Sequence, residues 1–332
     1  MNNSITKKSI HWTYSVAVFC ALFALHPLKA TAATLSDGWN YAIDSFNDGV
    51  TETQFGGGAF EFYGIAINET SDKVSIAINS NLSLAGYADS AAARGNINYG
   101  DLFFNFSGQN FNTASATNSL FAVRFADGND SGVATTGVYK DVTAKSVTQT
   151  NSGFSNLNQY NTIVASQGKT PSLGDLAATD PYFEQTGNNT ILTSIATGTK
   201  VGDIEFLTAA TLSALGLNFA NFNAVGSQTI GFSFNKSLLP AAEYIANFLA
   251  ECANDALAIK GKFQPVPAPA NVEPVPAPGK VEPVPDPGKV EPVPDPENFE
   301  RVPEPSTLVG TFLGLSFLGI RAAKRKMKRK IS

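Results

Sequence analysis

The sequence predicts an all-β body, an antiparallel β-sandwich with the jelly roll among its variants, followed by a disordered proline-rich stalk and a single C-terminal membrane helix. Three observations carry this. Apolar residues recur at a spacing of two along the body, proline then takes every second position, and the chain closes with an apolar run and a basic tail.

In the body, Phe60 and Phe62, Ile65 and Ile67, and Val74, Ile76 and Ile78 alternate, with Asn68-Glu69-Thr70-Ser71-Asp72 between the runs. This spells a hairpin with one buried face. The period returns in Leu102, Phe104 and Phe106, in Phe121, Val123 and Phe125, and in Ile230, Phe232 and Phe234. Residues 33–262 are one block rich in Gly, Asn, Ser, Thr and Phe, long enough for a single large domain with a sizeable core. Thr208 to Leu217 reads as a short helix and Leu173 to Ala178 as irregular chain. Across 241–259 two periods compete: Tyr244, Ala246, Phe248 and Ala250 fit a strand, whereas Tyr244, Ile245, Phe248, Leu249 and Cys252 fit a helix face. The strand is the preferred reading.

At the N-terminus, Lys7 and Lys8 precede an apolar run from Val16 to Leu25 and an Ala30-Thr31-Ala32 site. That order is a secretory signal peptide over residues 1–32, with Ala30 and Ala32 as the small residues read by signal peptidase. The run is too short to span a membrane. Both histidines, His11 and His26, and one of the two cysteines, Cys20, leave with it. The mature chain then has no Ser-His-Asp or Cys-His catalysis and no histidine metal site. Cys252 has no intramolecular partner and reads as a buried structural thiol.

The formal net charge of −5 understates how acidic the body is. Residues 33–262 hold 20 acidic and 10 basic residues, a balance of −10. Such a surface repels nucleic acid, and no nucleic-acid partner is expected.

Residues 263–301 form the stalk, where VEPVPAPGK (272–280), VEPVPDPGK (281–289) and VEPVPDPEN (290–298) repeat after a degenerate FQPVPAPAN (263–271). Proline fixes φ and removes backbone donors, so the chain favours polyproline II. It is a stiff spacer of roughly 120 Å if fully extended at ~3.1 Å per residue.

Residues 302–332 set a short proline-rich acidic peptide, an apolar run and a basic tail end to end. Leu308 to Ile320 carries no charge and, extended to about 307–323 with Arg321 snorkelling, makes a helix of roughly 25 Å, short for a hydrocarbon core of about 30 Å. Arg321, Lys324, Arg325, Lys326, Lys328, Arg329 and Lys330 follow, which keeps the tail cytoplasmic and the body outside. Gly310 and Gly314 form a Gly-x-x-x-Gly step through which another helix can pack closely.

With Pro303-Glu304-Pro305 just before the helix, this order resembles the PEP-CTERM sorting signal. The resemblance implies an exosortase, a membrane-embedded cysteine transpeptidase, as the partner that cuts near the motif. The body is similar to cyanobacterial exosortase-dependent surface proteins of the family labelled XDD3, through WNYAIDSFNDG (39–49), GGGAFEFYGIAI (56–67), YGDLFFNFSG (99–108), SLFAVRFA (119–126) and SLLPAAEYIANFLAECANDALAI (237–259). That likeness implies a destination and supplies no catalytic residues.

Candidate chemistry in the body is oxygen-based. Asp44-Ser45-Phe46-Asn47-Asp48-Gly49 has the carboxylates and turn glycine of a calcium loop, but Phe46 takes a ligand position and Phe55 stands where an EF-hand needs its glutamate. Asp127-Gly128-Asn129-Asp130-Ser131-Gly132 is the better oxygen-rich loop, with Asp127, Asn129 and Asp130 as the calcium candidates, though such clusters also serve plain hairpin turns. Gly56-Gly57-Gly58 lacks the Lys-Ser/Thr ending of a phosphate loop. Tyr63, Tyr99 and Phe103 could form a sugar platform, but at strand spacing aromatic residues belong to the core. Glu61 with Asp101 is a carboxylate pair of the kind a histidine-free glycosidase uses.

The expectation is therefore an exported protein that is not an enzyme, crosses the inner membrane, is held briefly by its C-terminal helix, and is processed to the cell surface or extracellular matrix. A structural or adhesive role in the exopolysaccharide layer comes first. A carbohydrate- or calcium-binding module comes second, and a carboxylate-based glycan hydrolase third.

Overall fold

A computed structural model of the protein describes residues 34–185 and 189–266. The signal peptide with Ala30 and Ala32, the repeats of the stalk, and the cassette with Pro303, Glu304, Pro305, Gly310, Gly314 and the basic tail lie outside the described residues. Among the described residues no helix is long and apolar enough to cross a membrane.

In chain order the strands begin with β1 (Thr34–Ser36) and β2 (Trp39–Ile43), a short hairpin of β3 (Val50–Thr51) and β4 (Gln54–Phe55), then β5 (Phe62–Glu69) and β6 (Lys73–Ser80). A second short pair, β7 (Tyr87–Ala88) and β8 (Asn96–Ile97), precedes β9 (Leu102–Asn105), α1 (Phe111–Ala116), β10 (Leu120–Arg124) and β11 (Gly137–Lys145). There follow α2 (Leu157–Ser166), β12 (Ser194–Gly202), β13 (Glu205–Leu207), α3 (Ala209–Ala214), β14 (Gln228–Asn235), β15 (Glu243–Leu249) and β16 (Ala256–Lys262). They build two six-stranded sheets, β1-β2-β5-β6-β14-β13 and β12-β11-β10-β9-β15-β16, with antiparallel pairing in both.

The two sheets share one core. Ile65, Ile67, Ile76, Ile78, Phe232 and Phe234 of the first meet Leu102, Phe104, Val123, Phe248, Leu257 and Ile259 of the second. All twelve side chains are buried because strand alternation aims them to one face, and burial of each is worth about 1.5–3 kcal/mol. The hairpin expected around residues 60–78 is β5–β6, with its turn shortened to Thr70, Ser71 and Asp72 because Asn68 and Glu69 stay paired in β5. Its second face is also covered: Ala66 and Ala77 lie under Leu212 and Phe219. Leu212 belongs to α3, which Thr208 caps by accepting from Thr211 N. Gly231 admits it, since a Cβ there would stand 2.7 Å from the Leu212 methyls.

The outer face of the second sheet is covered by α1 and α2. Phe111, Leu157, Tyr160 and Val164 pack on Phe103, Leu120, Ala122 and Leu249. The ambiguous segment 241–259 forms a hairpin, β15–β16, whose turn holds the fully buried Cys252. Burial pushes that thiol up, so it stays protonated and inert.

Candidate metal centre

Four carboxylates from three distant parts of the chain converge where the β15–β16 turn meets the loop after β2. Asp44 and Asp48 lie on that loop, Glu61 just precedes β5, and Asp255 sits in the turn. All four are buried. One carboxylate oxygen from each of Asp44, Asp48 and Asp255 lies within 4.8 Å of the other two. This buried cluster could hold a metal ion.

Backbone donors hold each carboxylate in place. Asp48 Oδ2 accepts from Ser172 N at 2.6 Å and Asp44 Oδ1 from Gly174 N at 3.3 Å. Those donors are fixed because the irregular chain at 173–175 is tied to β16: Ala258 N donates to Leu173 O and Asp175 N to Ala258 O. Glu61 Oε2 accepts from Gly49 N at 3.2 Å and Gly57 N at 2.9 Å. Gly49 must be glycine, since a Cβ would stand 2.7 Å from Glu61 Cα. Asp255 is the most engaged. It accepts from Phe62 N at 2.7 Å, from Ala256 N at 2.8 Å and from the Tyr160 hydroxyl of α2 at 3.3 Å.

Three oxygens of the group, Asp44 Oδ2, Asp48 Oδ1 and Glu61 Oε1, are buried with no hydrogen-bond partner. Each such atom costs about 1–3 kcal/mol. Among the described residues no lysine or arginine pairs with any of the four carboxylates. Burial is the main force on them all. It pushes Asp48 up to about 7 and Glu61 up to about 8. Asp44 and Asp255 go well above the usual carboxylate range, by burial first and then by the charge of their neighbours. Protonated, the cluster contributes its full stability below the ordinary carboxylate pKa of about 4, and that contribution is lost as the pH rises through 7 to 8. A divalent cation would remove the loss by satisfying the ionised oxygens. The ligand set is oxygen only, which suits calcium or magnesium and not a nitrogen- or sulfur-seeking metal.

The other oxygen-rich loop is organised differently. Arg124, 4 % exposed, donates from Nε to Asn129 Oδ1 at 3.0 Å, from Nη1 to Val133 O at 3.0 Å and from Nη2 to Asp127 O at 2.5 Å. Asn129 Nδ2 donates to Asp101 Oδ1 at 2.9 Å, Asp130 Oδ2 accepts from Asn151, and Asp130 N donates to Glu251. Here a guanidinium stands at the centre of the oxygens, while the Asp127 side chain is 88 % exposed. Burial pushes Glu251 up to about 7. Asp127 and Asn129 thus engage Arg124, Asp130 engages Asn151, Glu251 and, at 3.9 Å, Arg94, and the structure does not bring the three to the carboxylate cluster.

Glu61 and Asp101 likewise belong to separate networks. Tyr99 and Phe103 are core residues with no exposure, and Tyr63 is half-buried against Phe46 at 5.4 Å between ring centres. From the sequence, Asp44 and Asp48 are visible as a calcium-like loop that fails the EF-hand pattern. Asp255 carries no such signal, because its place depends wholly on the β15–β16 turn. Compared with known proteins, the chain matches no family model, no curated protein and no solved structure.

Proposed function

We propose that this is an exported cell-surface protein whose sandwich is closed by calcium at Asp44, Asp48, Glu61 and Asp255. One observation carries the cation: in the cluster of Asp44, Asp48 and Asp255, buried oxygens of Asp44 and Asp48 lack any hydrogen-bond partner, as does one of the adjoining Glu61, while among the described residues no basic side chain pairs with the group. Calcium accepts six to eight oxygens in flexible geometry, as loop carboxylates and carbonyls provide, whereas magnesium demands a tighter octahedron. The destination rests on the sequence alone, on the signal peptide, the stalk and the cassette of Pro303-Glu304-Pro305, apolar helix and basic tail, and an exosortase is the processing partner. An adhesive or structural place in the exopolysaccharide layer follows from that delivery.

Thermal melting tests the cation. Calcium at a hundred times its dissociation constant stabilises by about 2.7 kcal/mol, or roughly 5–10 °C for a domain of this size. Melting in calcium should exceed melting in EGTA by that margin, with a smaller gain in magnesium. A difference under about 1 °C would remove the cation from the account. Delivery is tested separately by mass spectrometry of the exported product, which should lack Leu308 to Ile320; a mature protein that keeps them has not been processed.

A further inference from the structure

Next to the metal centre lies a polar cleft of about 490 Å³, inside the roughly 300–1,000 Å³ range of small-molecule sites. Val50 and Asn254, chain neighbours of the centre, line it and are bound to each other: Val50 N donates to Asn254 O at 2.9 Å and Asn254 Nδ2 to Val50 O at 2.8 Å. Two half-buried rings also line it, Tyr87 and Phe154, each braced from behind by a buried ring. Tyr87 packs edge-on against Phe60 at 5.2 Å, and Phe154 against Tyr160 at 5.6 Å. Such rings are held before a ligand arrives, which lowers the ordering cost of binding.

Around them stand Glu52, Asp89, Ser90 and Gln159, which offer carboxylate, hydroxyl and amide groups. Glu52, Ser90 and Gln159 are exposed, so these groups face solvent. Among the described residues no lysine or arginine lines the cleft. Ring faces suit the C–H faces of a sugar, and mixed donors and acceptors suit its hydroxyls. An anionic ligand would meet two carboxylates with no cation to offset them. The larger cleft on the β15–β16 face, by contrast, carries Lys260 and Lys262 and has its tyrosines bonded or packed into the core.

We infer that the Tyr87–Phe154 cleft binds a neutral glycan. The assignment rests on the surface-adhesion reading and names its ligand class. It does not depend on processing, so failure here with correct delivery leaves that reading standing.

The test is native affinity electrophoresis of the full chain in mild detergent, in gels containing dextran, laminarin or galactomannan, with alginate as the anionic comparison. At least one neutral polysaccharide should retard the protein and alginate should not. Glu52→Gln with Ser90→Ala, both at exposed positions, should weaken retardation about tenfold with an unchanged melting temperature. Tyr87→Ala, which removes the ring together with its hydroxyl bond to Glu52 Oε1 at 3.1 Å, should also weaken it. No retardation in any neutral gel, retardation by alginate alone, or retardation that survives all three substitutions would overturn the assignment.

Discussion

Replacing Asp255 by alanine should lower the melting temperature in calcium by about 10 °C and abolish the difference between calcium and EGTA. Asp255 is fully buried and serves three donors at once, Phe62 N at the start of β5, Ala256 N at the start of β16, and Tyr160 Oη on α2. It therefore links the first sheet, the second sheet and the outer helical layer. Phe62 N and Ala256 N left unsatisfied cost about 1–3 kcal/mol each, while the Tyr160 hydroxyl keeps Asp48 O as an acceptor at 3.2 Å, and a total near 3–5 kcal/mol corresponds to the stated shift at roughly 2–4 °C per kcal/mol. Asp255→Asn keeps the shape and an acceptor, so it should recover part of the stability in EGTA while gaining little from calcium. Were Asp255→Ala to melt within about 2 °C of the parent, the turn would not be the junction described.

Replacing Arg124 by methionine should be as severe but should leave the difference between calcium and EGTA as it is in the parent, because Arg124 bonds to Asn129, Val133 and Asp127 and not to the carboxylate cluster. The guanidinium is the only cation within the network of Asp101, Asn129, Asp130 and Glu251 that is itself almost fully buried. Removing it leaves Asn129 Oδ1, Val133 O and Asp127 O without their donor, at about 1–3 kcal/mol for each such buried acceptor. Arg124→Lys should not restore the protein, because three separate acceptors, Asn129 Oδ1, Val133 O and Asp127 O, are met by a planar fork that a lysine cannot reproduce. Thermal melting of both variants checks this, and full rescue by lysine would mean that charge alone, without the fork, organises the loop. The two networks thus solve one problem in two ways: oxygens crowded in a dry place are answered by arginine in one and, in the proposed account, by calcium in the other.

The paired runs were legible because alternation is a direct consequence of one buried face per strand. β5, β6, β9, β10 and β14 fall where Ile65 to Ile78, Leu102 to Phe106, Phe121 to Phe125 and Ile230 to Phe234 announce them. β11 and β12 were not legible, because their pairing slips repeatedly between Val138 and Ala144 and only six of their eighteen residues are buried, which erases the period. α1 and α2 hide for another reason. They are short, rich in Asn, Ser and Thr, and begin on asparagine caps, Asn110 and Asn156, that read equally well as loop residues. The carboxylate centre was half legible. Asp44 and Asp48 share a loop, and Glu61 stands out as an acid among strand residues, but Asp255 meets them only after β15 and β16 have paired and the two sheets have closed.

The most direct test of the central claim is a calorimetric titration of the metal-free protein with calcium. One cation per chain should bind, and binding should be lost when Asp48→Asn and Glu61→Gln are combined, because that pair removes two of the three unpartnered oxygens. Asp127→Asn, on the loop that Arg124 occupies, should bind as the parent does. No heat of binding in the millimolar range, or binding that survives the double substitution and disappears with Asp127→Asn, would contradict the account.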